Sequence, residues 1–75
     1  MRIEVLLFGA LREQVGAARR DLELPPGARV REALAALGLP DRVDIWALVD
    51  GARAGRDATL AEGSRLSLFQ PVGGG

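Results

Sequence analysis

The sequence closes on Gly73-Gly74-Gly75, and the α-carboxylate of Gly75 is the group in this chain best placed to become reactive. Cysteine, histidine and lysine are absent, which removes thiolate catalysis, persulfide formation, cysteine metal sites, and the commonest metal ligand and general base. A lysine-free chain also cannot receive an isopeptide bond from a copy of itself. An ionised carboxylate is a poor electrophile at neutral pH. A partner that binds ATP can convert it to an acyl-adenylate, from which AMP leaves readily, and a sulfur donor can then replace AMP to give a thiocarboxylate. Glycine suits this task because a backbone without Cβ atoms passes through a channel too narrow for side chains. From Pro71 to Gly75 an extended tail reaches about 17 Å at roughly 3.3–3.6 Å per residue. Glycines at a chain end by themselves point first to a frayed terminus; it is the preceding apolar strand, Pro71 and the pattern of the elements before them that favour the threaded end.

Other chemistries lack their residues. A glycine-rich phosphate loop lies between a strand and a helix, so that backbone N–H groups face the anion; these glycines follow the last strand and precede nothing. No Walker lysine, paired-carboxylate spacing or metal cluster is present, so no metal and no bound cofactor is expected. Ten arginines balance ten Asp plus Glu along the chain, leaving no basic stripe for nucleic acid. No stretch approaches the roughly 18 apolar residues needed to span a membrane. Strand-like alternation from Met1 onward leads to the expectation of a cytoplasmic protein. At 75 residues, 48% apolar and 27% charged, the chain has a globular composition. A domain of this size buries only about 60% of its unfolded surface, so the core must be well patterned.

The elements that would position the tail follow from periodicity. Met1 to Phe8 alternates as a strand, with Ile3, Val5 and Leu7 on one face and Arg2, Glu4, Leu6 and Phe8 on the other. Ala10 to Val15 is a short helical segment closed by Gly16. Arg20 to Leu24 alternates as a second strand, pairing with the first across that helix and ended by Pro25-Pro26-Gly27. Arg29 to Leu37 is the main helix: Val30, Ala33, Leu34 and Leu37 form one stripe, and Gly38 and Pro40 stop it. Its start is weakly capped, since Ala28 and Arg29 stand where Ser, Thr, Asp or Asn is favoured. Ile45 to Val49 is a third strand, nearly all apolar, in which Trp46 is read as a packing residue. Asp50-Gly51 signals a turn into an edge strand at Ala52 to Ala54. Asp57 to Gly63 is expected to form one helical turn capped by Asp57. Arg65 to Phe69 is the final strand, with Leu66 and Leu68 inward and Phe69 outward. Together these predict an α+β, β-grasp roll: a mixed sheet of four to five strands on one main helix. They form one domain over residues 1–75 with a flexible Gly-Gly tail at 71–75.

Four segments carry a resemblance to a known family. They are LLFGALREQVG, with Phe8, Ala10, Leu11, Arg12 and Glu13; LPPGARVREALAAL; LVDG; and the ending FQPVGGG. In order and spacing the chain resembles the small subunit of molybdopterin synthase, the MoaD-type sulfur carriers of the ubiquitin-like β-grasp group. The family often has Pro at the place of Gln70, Thr near Arg29 and Asn at Asp50. The first departure softens the base of the tail, and the second matches the weak helix cap.

The resemblance implies a protein that is not an enzyme by itself. Gly75 would be adenylated by a ubiquitin-activating-type adenylyltransferase that uses ATP. It would then be converted to a thiocarboxylate by a desulfurase- or rhodanese-type sulfur donor. Inserted into the molybdopterin synthase large subunit, it would deliver sulfur to a pterin precursor to form the dithiolene. Gly74 is then the threaded residue behind Gly75. Leu6, Phe8 and Phe69, with Pro71, Val72 and Gly73, would meet the partners. Leu11, Arg12 and Glu13 read as structural, with Arg12 also able to form a partner salt bridge. Two other readings stand beside this one. The same activation would serve a sulfur carrier for thiamin, tRNA thiolation or cysteine synthesis, or a protein modifier. Alternatively, the chain is a β-grasp binding module with an inert tail.

Overall fold

The structure is a computed structural model that describes residues 1–40 and 44–71. Its elements run β1 (Arg2–Leu7), α1 (Gly9–Val15), β2 (Arg19–Glu23), α2 (Val30–Ala36), β3 (Trp46–Val49), β4 (Ala52–Ala54) and β5 (Arg65–Phe69). The five strands form one sheet in the order β2-β1-β5-β3-β4. β1 pairs antiparallel with β2 and parallel with β5, while β3 pairs antiparallel with both β5 and β4. This is the expected mixed sheet and β-grasp plan, with the last strand at its centre.

Alternation in the strands sorts their side chains between two faces. Ile3, Val5, Leu7, Leu22, Ala47, Leu66 and Leu68 are buried and share one core with Val30, Ala33 and Leu34 of α2. Leu11 of α1 joins the same core. Helix α1 bridges β1 to β2 and ends at Gly16, whose left-handed backbone (φ 86°) lets its N–H reach the Arg12 carbonyl at 2.9 Å. The other end of β2 is held by the Leu24 N–H, which donates to the Met1 carbonyl at 2.8 Å. Gly38 (φ 76°) closes α2 in a Schellman arrangement. The Leu39 N–H reaches the Leu34 carbonyl at 2.9 Å and the Gly38 N–H reaches Ala35 at 3.0 Å.

The weak start of α2 and the segment at 57–63 explain each other. No helical turn forms at Asp57 to Gly63, contrary to the sequence expectation; the segment contains turns and a bridge between Thr59 and Arg29. Its backbone supplies what α2 lacks. The Val30 N–H donates to the Ala58 carbonyl at 3.0 Å and the Arg31 N–H to the Arg56 carbonyl at 3.1 Å. The Leu60 N–H in turn donates to the Ala28 carbonyl at 2.8 Å. The first-turn donors of a helix need such partners when no side chain caps them. A helical turn at 57–63 would take the Ala58 carbonyl for its own ladder. Asp57, expected as a cap, instead accepts from the Arg31 guanidinium at 2.7 Å. Glu32, three residues into the helix, accepts the Arg29 N–H at 2.8 Å, half of a capping box.

Two polar contacts fix the sheet's central register. At the β3–β4 turn, Asp50 (φ 50°) and Gly51 (φ 89°) both have positive φ, the geometry of a two-residue type I′ hairpin. The Asp50 carboxylate accepts the Arg65 N–H at 2.9 Å, and the Asp50 N–H donates to the Arg65 carbonyl at 2.8 Å. Across β2, β1 and β5, Glu4 accepts from Arg65 at 2.7 Å and pairs with Arg19 at 2.9 Å. The hydrogen bond from Arg65 is the main cause that holds the Glu4 carboxyl below its ordinary value of 4.5; partial burial pushes the other way, and Arg19 lowers it further.

Two measurements check these interactions. Leu66, with no exposed surface, loses its packing in Leu66→Ala, and urea unfolding should show a loss of about 2–5 kcal/mol. A carboxyl whose folded value is depressed stabilises most above its unfolded value and loses that contribution as pH falls through the folded one. The stability advantage of wild type over Glu4→Gln should therefore be full at neutral pH and shrink below about pH 4.5. An advantage that grows on acidification would contradict this arrangement.

Candidate functional site

The sheet has an open face opposite α2, and the registers arrange its side chains in rows. One row crosses all five strands as Arg19, Leu6, Ser67, Leu48 and Arg53. Leu6, Ser67 and Leu48 are half-buried while the arginines at either end are exposed. Beyond this row, toward the end at which β5 leaves the sheet, Phe69 lies opposite Trp46. Their ring centroids are 5.9 Å apart at 51°, within the favourable range for aromatic pairs. Phe8 follows β1 at the same end: its N–H donates to the Leu68 carbonyl at 3.2 Å and its side chain is 50% exposed. Below the row, toward the opposite end, lie the paired charges Asp21, Glu4 and Arg65. The face therefore divides into an apolar half beside the exit of β5 and a charged half away from it.

Of the sequence-derived partner residues, Leu6, Phe8 and Phe69 come together on the apolar half. Pro71, exposed, begins the tail just beyond it. Val72, Gly73, Gly74 and Gly75 lie outside the described residues. At the base of the tail, the Gln70 amide donates to the Asp44 carboxylate at 3.0 Å. A side-chain tether to the segment leading into β3 thus stands where a proline would stiffen the chain through its ring.

Nothing in the sequence singles out Leu48, and Trp46, expected to pack, does so against Phe69. Trp46 is half-buried and lies on the open face with Phe69, not in the core. The guanidinium carbon of Arg53 sits 3.5 Å from its ring centroid, a cation–π stack. The strand is apolar on both faces, so its alternation carries no polarity signal. Only a register against β5 separates Trp46 and Leu48 from the buried Ala47. Arg12 is exposed on α1. Among the described residues no group of three carboxylates could hold a metal, and no helix is long and apolar enough to cross a membrane.

This architecture is found in solved proteins. Small archaeal modifier protein 1 from Haloferax volcanii is 28% identical, with all of both chains covered and a TM-score of 0.86. A chain of the complex between subunits 1 and 2 of the molybdopterin-converting factor from Helicobacter pylori is 22% identical over all of both chains, with a TM-score of 0.67. The ubiquitin of Caldiarchaeum subterraneum is 21% identical, covering all of this chain and 98% of that one, with a TM-score of 0.64. No match was found among curated proteins. The model of the ThiS family matches residues 5–75, from the middle of β1 through the glycine ending. A ubiquitin-like β-grasp sheet, the final strand at its centre and a family match that runs to Gly75 together place the chain in the ThiS family of sulfur carriers.

Proposed function

We propose that this protein carries sulfur on the carboxylate of Gly75 and delivers it to molybdopterin synthesis as the small subunit of the synthase. The observation that carries the reading is the position of β5. It is hydrogen-bonded on both edges, so the root of the tail is fixed relative to Leu6, Phe8, Trp46, Leu48 and Phe69. A partner gripping that apolar half would find the tail issuing from its margin at a set place. Gly73, Gly74 and Gly75 then extend into the partner's active site, where the absence of side chains admits them.

In the activating enzyme, the Gly75 carboxylate attacks the α-phosphate of ATP, pyrophosphate leaves, and an acyl-adenylate forms. The terminal sulfur of a persulfide on a desulfurase- or rhodanese-type donor attacks the acyl carbon, and the C–O bond to AMP breaks. A thiol then cleaves the S–S bond of the resulting acyl disulfide, leaving a disulfide on the donor side and a thiocarboxylate on Gly75. In the large subunit that sulfur bonds to a carbon of the pterin precursor, and water cleaves the acyl C–S bond, returning Gly75 to its carboxylate. ATP is held by the activating partner, and this chain needs no cofactor of its own. Use of ATP and of a reduced sulfur donor fits a cytoplasmic location. The molybdopterin assignment rests on the resemblance at Phe8, Ala10 to Glu13, Pro71 and Val72. The likeness to small archaeal modifier protein 1 favours a second reading, in which the activated Gly75 is joined to amines of other proteins.

Deleting Gly75 tests the shared chemistry. ATP–pyrophosphate exchange by the activating enzyme should be lost with the truncated protein, while thermal unfolding stays as in wild type; unchanged exchange would end the carrier reading. Thiocarboxylated protein mixed with candidate large subunits and the pterin precursor should yield molybdopterin. Sulfuration of tRNA or a thiazole instead, with no molybdopterin, would reassign the pathway. Conjugates on protein lysines would support the modifier reading.

A further inference from the structure

We propose that Arg53, stacked on Trp46, is a charge-selective element of the docking face that receives a carboxylate side chain of the activating adenylyltransferase. The inference rests on the docking reading above and adds the chemistry of the partner. The two ends of the long row differ. Arg19 at one end is already paired, with Glu4 at 2.9 Å and Asp21 at 3.7 Å. Arg65 in the same half is paired with Glu4 at 2.7 Å. Arg53 at the other end forms no ion pair among the described residues, and its guanidinium lies 3.5 Å over Trp46. Positive charge on the face is thus cancelled in the half remote from the tail and left uncancelled beside the apolar half.

The stack gives this charge a direction. Guanidinium is planar, and its N–H donors lie in that plane. Contact with the Trp46 ring occupies its flat side and leaves the edge, where all five donors point, open for a bidentate carboxylate. Trp46 is itself held by Phe69, so the position of Arg53 is coupled to the last residue of β5 and hence to the root of the tail. Holding the side chain in place before binding lowers the ordering cost of the contact. Arg53 is also exposed on an edge strand and paired with Leu48. A carboxylate bound there would flank an apolar side chain of the partner lying between Leu48 and Leu6 over the small Ser67. The matching surface is therefore an apolar centre with an acidic group at its margin, the usual division of an interface into apolar core and polar rim.

The test measures binding to the ubiquitin-activating-type adenylyltransferase of the same organism, without nucleotide, as a function of salt. Arg53→Gln should weaken binding on the order of tenfold or more, and its affinity should fall less steeply with salt than that of wild type. Arg20→Gln makes the same change of charge at the opposite edge of the sheet and should bind as wild type does. Far-ultraviolet circular dichroism together with thermal unfolding verifies that the variant keeps its fold. Equal binding by wild type and Arg53→Gln, or an equal loss in Arg20→Gln, would overturn the assignment. Dependence on Arg53 that appears only when ATP is present would assign the contact to a phosphate and overturn it also. Absence of wild-type binding, with or without ATP, would remove the docking reading itself and this inference with it.

Discussion

The parallel pairing of β1 with β5 is the constraint on which the rest of the structure depends. It joins the first strand to the last, with Glu4 opposite Arg65 and Leu7 opposite Leu68. Parallel neighbours cannot be joined by a tight turn, and here every other element lies in the connection. β2 and β3 can occupy only the outer edges of this pair, and β4 only the far side of β3. The inner sides of the central strands supply Val5, Leu7, Leu66 and Leu68 to the core, which α2 covers. Their outer sides supply the middle of the open face. A pairing between residues some sixty positions apart carries a large loop-closure cost, offset by burial of the leucines and valines it brings together.

The same pairing explains how a chain lacking Cys, His and Lys can take part in covalent chemistry. The reactive group in the proposed cycle is a main-chain carboxylate, so the protein contributes position instead of a catalytic side chain. Position comes from a strand anchored on both edges, and in the proposed cycle selectivity is the task of the face beside it. The Glu4, Arg19 and Arg65 charges satisfy one another and tie three strands together. The aromatic pair of Trp46 and Phe69 keeps apolar surface at the other end, close to the tail, and Gln70 bonded to Asp44 holds the tail's first step. In the proposed cycle the chain as far as Gln70, held by the sheet and by Asp44, is the part recognised, and the segment after it, Pro71-Val72 and three glycines, is the part threaded.

Much of this was legible in the sequence because the signals were local. Period-two alternation located β1, β2 and β5 within a residue or so, and Gly16, Gly38 and Asp50-Gly51 marked their turns through positive φ. The valine, alanine and leucine stripe identified α2 and its buried side. What the sequence did not disclose depended on distant partners. Asp57-Ala58-Thr59-Leu60 has the look of a capped helical turn, but its Ala58 carbonyl is taken by Val30 and the Arg56 carbonyl just before it by Arg31, whose own segment lacks a side-chain cap. Trp46 and Leu48 sit in a strand that is apolar throughout, so their exposure follows from pairing with Phe69 and Ser67 and not from any local pattern. The separation of charged and apolar halves likewise appears only when the strands are set side by side.

Sulfur on Gly75 is the central claim, and it can be read directly from the intact mass of protein purified from its native host under non-reducing conditions. A population heavier by the exchange of one oxygen for one sulfur, with the change localised by fragmentation to Gly75, is the result expected of a carrier. Protein that is wholly in the free carboxylate form, even when its activating enzyme and sulfur donor are co-produced with it, would contradict the claim.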